Sequence, residues 1–330
     1  MREENPRRVW TEVAGFTVLG IILYKVGVLF FLFLIPFQLL IGRRGFHYFL
    51  ISCGIFLGVS FLFTLGNLRI IDVEGLSGII LLLELGIPLM FLLGLGIVNY
   101  PDLQFERKLY GLLVSAGIIG VISVPVILLV SRNEELIEFF RQQLGQVFRV
   151  FSMSGGEADS FETGIMENML ETDSLFLWLK EMILRNYLFI FFVILTANWW
   201  AGTTIIKRSM REKKFDIVGF RLPDQFIWPL LISWAVVLLD VFKGIGWPAY
   251  LFWNTGMIAL FLFGLQGFGI VRHLLKKYAL PRSLRTLLTF IVVILVFIPG
   301  ANLVIFIGFP GLGVSELWIK YRKAQEGDTI

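Results

Sequence analysis

Long apolar runs constrain this chain more than any other feature. They cover about residues 11–24, 26–41, 47–65, 77–98, 109–130, 187–206, 226–242, 249–271 and 286–314. A helix needs roughly 20 mostly apolar residues to cross about 30 Å of hydrocarbon, and its hydrogen-bonded backbone is what makes it viable in lipid. Several runs meet that length, so the chain reads as an all-α, polytopic helical membrane protein. Composition agrees: of 330 residues, 57% are hydrophobic and 16% charged, far from an average soluble domain.

Two runs are broken in ways that suggest hairpins. Runs one and two meet at Lys25; as a single helix they would be about 46 Å long, so a short helical hairpin is expected. The last run is interrupted by Pro299-Gly300, which predicts a kink or a second short hairpin. About eight to ten membrane segments result. Lysine and arginine near span ends resist translocation. With the first hairpin in place, Arg7, Arg8, Arg43, Arg44, Lys207, Arg208, Arg211, Lys213, Lys214, Arg272, Lys276, Lys277, Arg282 and Arg285 all fall on one side. That side is assigned to the cytoplasm, with the N-terminus in it; MREENPRRVW has no small-residue cleavage site after it and reads as a retained start. Residues 131–185, with ten acids against five bases, are then extracytoplasmic. The expected organisation is an N-terminal membrane half at 1–130, an extracytoplasmic segment at 131–185 and a C-terminal membrane half at 186–330. Five spans in each half would give the parity of an inverted repeat, although the halves share no residue-level similarity.

The outer segment carries amphipathic helical spacing from Asn133: Leu136, Phe140, Leu144, Val147, Phe148 and Phe151 share a face. Asp159 and Glu162 have capping-box spacing for a second helix. Either these helices pack on the bundle or membrane surface, or they form a gate or a docking face for a partner.

Glu84 is the sharpest candidate for function. It lies well inside the fourth run, near mid-membrane, in LLLELGIPL, where a charge is costly and an ionisable group marks a site or a helix contact. Pro88 has no N–H for the carbonyl of Glu84, so an acceptor is freed beside the carboxyl. Lys25, in the outer half of the membrane, is its natural partner, unless it snorkels to the headgroups. In the eighth run Asn254 and Gln266 are amides that either glue helices together or line a solute site. Gly54-x-x-x-Gly58 allows close helix approach, within the chain or in a homodimer, and the glycines at 264, 267 and 269 read as close helix packing. Two histidines and one cysteine, Cys53, leave no zinc spacing and no nucleophile arrangement. No enzyme chemistry, cofactor or metal is expected. A net charge of +4 is accounted for by the topology residues, so nucleic acid is not an expected partner.

Several short stretches, in order, resemble the YybS-like family of bacterial inner-membrane proteins. They are Asn198 followed by KRSMREKKF, Phe220-Arg221-Leu222-Pro223-Asp224 with Trp228, Asn254, Gln266-Gly267, Gly311-Leu312, and Glu316-Leu317-Trp318-Ile319-Lys320-Tyr321-Arg322-Lys323. The resemblance implies a bacterial inner (cytoplasmic) membrane location. It also implies a distant similarity of the N-terminal portion to the solute-binding membrane subunits of energy-coupling-factor transporters. Those subunits carry a small-xxx-small docking motif on their first helix. Here Ala14 is followed by Val18, so that motif does not carry over. The resulting expectation is a membrane protein that binds or transports a small solute, with Glu84, Lys25, Asn254 and Gln266 as site residues. The alternative is a non-transporting scaffold that binds a membrane-protein partner.

Overall fold

A computed structural model describes residues 6–71, 77–103, 108–154, 172–210, 217–278, 281–295, 298 and 300–322. Among these there is no strand. The helices are α1 (Pro6–Lys25), α2 (Leu34–Arg44), α3 (Phe46–Ile71), α4 (Ser77–Asn99), α5 (Lys108–Arg132), α6 (Glu134–Ser154), α7 (Thr172–Ser209), α8 (Ile227–Lys243), α9 (Pro248–Lys277), α10 (Arg282–Leu295) and α11 (Ala301–Ser315). Seven segments among the described residues are long and apolar enough to cross a membrane, and Asn302–Ser315 is a shorter apolar helix. The difference from the eight to ten segments expected lies at the two ends. The charged first turns of α1 dilute its apolar stretch, and α10 and α11, at 14 and 15 residues, are short. Pro299 and the Asp159–Glu162 pair lie outside the described residues; Gly300, beside Pro299, takes φ +83° at the start of α11.

The chain divides into two compact units, Met1–Lys213 and Lys214–Ile330. In the first, α1 and α2 form an antiparallel hairpin joined by a 3₁₀ segment, Gly27–Leu32. Its packing is legible residue by residue. A Cβ on Gly20 would lie 2.6 Å from Phe37 Cε2, so only glycine lets the ring of α2 lie on α1. The Arg43 guanidinium sits 5.7 Å from the Phe16 ring centroid, and Arg44 Nε donates to Glu12 Oε2 at 2.9 Å. Short as it is, α2 is the centre of the unit, with α1, α3, α4 and α7 packed around it. Leu34, Phe37 and Leu40 are fully buried there. Phe33 stacks on Phe56 at 5.8 Å between centroids, and Phe37 meets Phe56 edge-on at 5.5 Å. Such pairs add to the area they bury, and they fix how the hairpin seats on α3.

The segment at 131–185 is partly an extension of a span. α7 has 38 residues and is therefore about 57 Å long, nearly twice the hydrocarbon thickness. Its N-terminal part is braced by α6. Asn133 caps α6 by accepting the Leu136 N–H at 2.7 Å, Leu136 is fully buried, and Arg141 lies over the Phe176 ring at 5.2 Å. At the opposite end of this unit lie Arg43 and Arg44 of α2, Lys108 bonded to the Val98 carbonyl, and Lys207 and Arg208 in the last turn of α7.

In the second unit α8 and α9 are antiparallel. Gly244, left-handed at φ +61°, ends α8, and Asp240 receives the N–H of Gly244 on its carbonyl and that of Gly246 on its carboxylate. Ser233 packs against Gly256, and Trp234 against Trp253 at 5.7 Å. α11 crosses α9 in backbone contact. A Cβ on Gly267 would run into the Phe309 carbonyl, and one on Gly313 into the Phe263 carbonyl. The close packing expected of Gly267 is therefore made with α11. Gly269 likewise faces the Ile217 carbonyl, to which a Cβ would come within 2.5 Å. By contrast, Gly54 and Gly58 of α3 are exposed and meet nothing within 4 Å of an added Cβ.

Candidate functional site

Three polar clusters are built where helices meet. The first contains Glu84. Seven residues along α4, it sits about 10 Å from the start of that helix, at the end of the unit away from the basic side chains. Pro88 is inside α4, so the Glu84 carbonyl has no helical donor. The structure supplies one: Tyr24 Oη of α1 donates to it at 3.0 Å. The Glu84 carboxyl meets Thr64 of α3 in a short hydrogen bond through Oε2. Thr64 Oγ1 also lies 3.0 Å from the Ser60 carbonyl, one turn back. Ser60 and Thr64 are both buried on the inner face of α3, and the Ser60 hydroxyl has no hydrogen-bond partner. Lys25 does not reach Glu84. Its Nζ lies 5.6 Å from the Tyr24 ring centroid, and among the described residues no cation lies within ion-pair distance of the Glu84 carboxyl. Tyr24 carries the Lys25 ammonium over its ring and the Glu84 carbonyl on its hydroxyl.

A second cluster lies nearer the basic end of the same unit. Gln38 of α2 and Asn99 of α4 exchange amide hydrogen bonds at 2.9 and 3.3 Å, and Gln38 also reaches Thr203 of α7 at 3.4 Å. Gly202 makes room: a Cβ there would lie 2.5 Å from Gln38 Cγ. Asn198, 1% exposed, donates to the Phe31 carbonyl of the 3₁₀ segment at 2.6 Å. Sequence reasoning passed over Gln38 and Asn99. The rule that amides in spans join helices, applied to Asn254 and Gln266, would have picked them out equally.

The third cluster is in the second unit and gathers much of what the family resemblance rested on. Gln266 Oε1 accepts the Leu222 N–H at 2.8 Å, and Nε2 donates to the Gly313 carbonyl at 3.1 Å and to Glu316 at 2.9 Å. Arg322 pairs with Glu316 through two nitrogens and donates to the carbonyls of Val218 at 2.6 Å and Phe220 at 3.0 Å. Glu316 is 2% exposed. Thus Phe220–Leu222, Gln266-Gly267 and Glu316–Arg322, far apart in sequence, converge on one network. Both amide hydrogens of Gln266 are engaged within it. Asn254, also 1% exposed, donates to the Tyr250 carbonyl of its own helix at 2.8 Å. Twelve residues separate it from Gln266, about 18 Å along α9, so these two amides do not share a cluster. Among the described residues no group of three His, Cys, Asp or Glu is placed to hold a metal ion.

Apolar helices that meet through buried amides, hydroxyls and one paired acid define a polytopic helical membrane protein. Within that class the chain belongs to the family described as predicted membrane protein (DUF2232), whose pattern matches residues 15–310. No curated protein and no solved structure matches it.

Proposed function

We propose that this protein binds or transports a small solute across a bacterial cytoplasmic membrane, with its polar site in the first unit around Glu84. One observation carries the reading. A glutamate well inside a membrane-spanning helix has its carboxyl against Thr64 of a second helix and its backbone carbonyl, freed by a proline, on Tyr24 of a third, with the buried Ser60 one turn from Thr64. Broken hydrogen bonding beside an acid is how helical membrane proteins build solute and ion sites. The resemblance of the N-terminal portion to solute-binding membrane subunits of energy-coupling-factor transporters, and of the later motifs to the YybS-like family, supports the same reading. Asn254 and Gln266 enter it as helix ties of the second unit and not as solute contacts. The reading includes no chemical step and no cofactor. The scaffold alternative has less support, because the described part of the outer segment, α6, turns Leu136 inward and packs on α5 and α7.

The test is reconstitution of the full chain in proteoliposomes and a screen of uptake and binding across a broad metabolite panel. At least one solute is expected to bind, and Glu84→Gln to weaken it tenfold or more while the protein still folds. No binding by any solute, or binding indifferent to Glu84, would remove the basis of the proposal.

A further inference from the structure

Among the described residues the Glu84 cluster is short of one positive charge. A carboxylate within hydrocarbon needs a cation or a proton beside it, and no described cation lies within ion-pair distance; the Lys25 Nζ sits over the Tyr24 ring, 5.6 Å from its centroid. On α5 Lys108 is bonded to the Val98 carbonyl at the basic end, and Arg132 is exposed in the last turn. On α7 Arg185 is paired with Glu181, and Tyr187 is bonded by Ser123 of α5. On α2 the only charges are Arg43 and Arg44 at the basic end. From α1 Tyr24 bonds the Glu84 carbonyl, and from α3 Thr64 meets its carboxyl with Ser60 one turn back.

The hydrogens give the same result independently. Thr64 has one hydroxyl hydrogen but contacts two acceptors, the Ser60 carbonyl and Glu84 Oε2. Helical threonine commonly gives its hydrogen to the carbonyl four residues back; when it does so here, the contact with Glu84 needs a hydrogen or a cation between the oxygens. One turn away, the buried Ser60 hydroxyl has no hydrogen-bond partner among the described residues. Ser60 and Thr64 lie above one another on one helix face, so this oxygen is available on the same side of α3.

From this geometry we infer that the cluster of Glu84, Thr64 and Ser60 holds a small monovalent cation, a proton or a sodium ion. A single carboxyl with hydroxyl oxygens matches one positive charge and a hard ion; a divalent cation takes more oxygen ligands and usually more carboxylates. The inference deepens the solute-site reading by naming what neutralises the acid, and the experiment is run without any solute so that the two can fail separately.

The full-length protein in nanodiscs is unfolded thermally in choline chloride, with tryptophan fluorescence as the readout. Sodium chloride or potassium chloride replaces choline at constant ionic strength in one series, and pH is lowered without sodium in another. If sodium is the ion, sodium but not potassium raises the midpoint by several degrees, as expected for a ligand bound only by the folded state. If a proton is the ion, lowering the pH does so and sodium does not. In either case Glu84→Gln, close in shape to the neutral acid, loses the response. Superimposable responses of wild type and Glu84→Gln in every series would overturn the inference. Should that variant not fold, Ser60→Ala and Thr64→Val are read instead. They are expected to shift the half-saturating sodium concentration, or the pH midpoint, fivefold or more, and curves identical to wild type would overturn it equally.

Discussion

At the scale of single residues, the sequence shows a helix defect but not its remedy. Glu84 and Pro88 are four apart in one segment, so the freed carbonyl follows from local geometry alone. Tyr24 and Thr64, which answer that defect, lie 60 and 20 residues away in sequence, and no periodicity says which faces of α1, α3 and α4 meet. The same limit explains why Lys25 is read as the partner of Glu84 from charge, whereas in the structure its ammonium lies over the Tyr24 ring. The bond is testable by a double-mutant cycle. Tyr24→Phe leaves the Glu84 carbonyl without its donor and should cost on the order of 1–3 kcal/mol. With Pro88→Ala in place, the new N–H at position 88 can reach that carbonyl, and the cost of Tyr24→Phe should fall below about 0.5 kcal/mol. Reversible unfolding in mixed micelles measures the coupling. Additive effects would mean that the tyrosine hydroxyl is not answering the proline.

Elements were legible where one signal covers the whole helix. Asn133 followed by an apolar stripe fixes the start of α6 at Glu134, because cap and periodicity coincide. The length of α7 was not legible. Hydropathy marks only 187–206 as apolar, yet the helix begins at Thr172, since helical hydrogen bonding does not stop where lipid does. Nor does hydropathy separate glycines that touch another helix from those that do not. The structure makes that distinction, and it yields a paired prediction. Gly267→Ala sets a methyl group on the Phe309 backbone, which cannot yield as a side chain would. Overpacking of this kind should destabilise the protein by about 1–3 kcal/mol or more. Gly58→Ala meets nothing within 4 Å and should change stability by no more than about 0.5 kcal/mol. Thermal midpoints of the two variants, measured side by side, check both, and equal losses would contradict the crossing of α9 and α11.

For the whole molecule, charge patterning supplies an orientation that packing alone does not. In the first unit the α1–α2 hairpin returns the chain to the end where it began, as the Arg44–Glu12 bond requires. α3, α4 and α5 then alternate, so that α6 follows at the opposite end, and α7 runs back to Lys207 and Arg208. The basic end and α6 are therefore on opposite faces however the protein is inserted. The positive-inside rule favours one of the two insertions, and the expected outcome is a basic end in the cytoplasm. Because Cys53 is the chain's single cysteine, Cys53→Ser gives a background for reading this directly. Gln143 of α6 and Ser209 of α7 are both exposed. In intact spheroplasts a membrane-impermeant maleimide should label Gln143→Cys at once and Ser209→Cys only after permeabilisation. The reverse pattern would keep the threading and invert the protein, moving the Glu84 cluster to the cytoplasmic half of the membrane. Labelling of both positions from one side would break the threading itself, and with it the placement of Glu84 at the end of the unit away from the basic side chains, which on the expected insertion is where an ion or solute arriving from outside would first meet it.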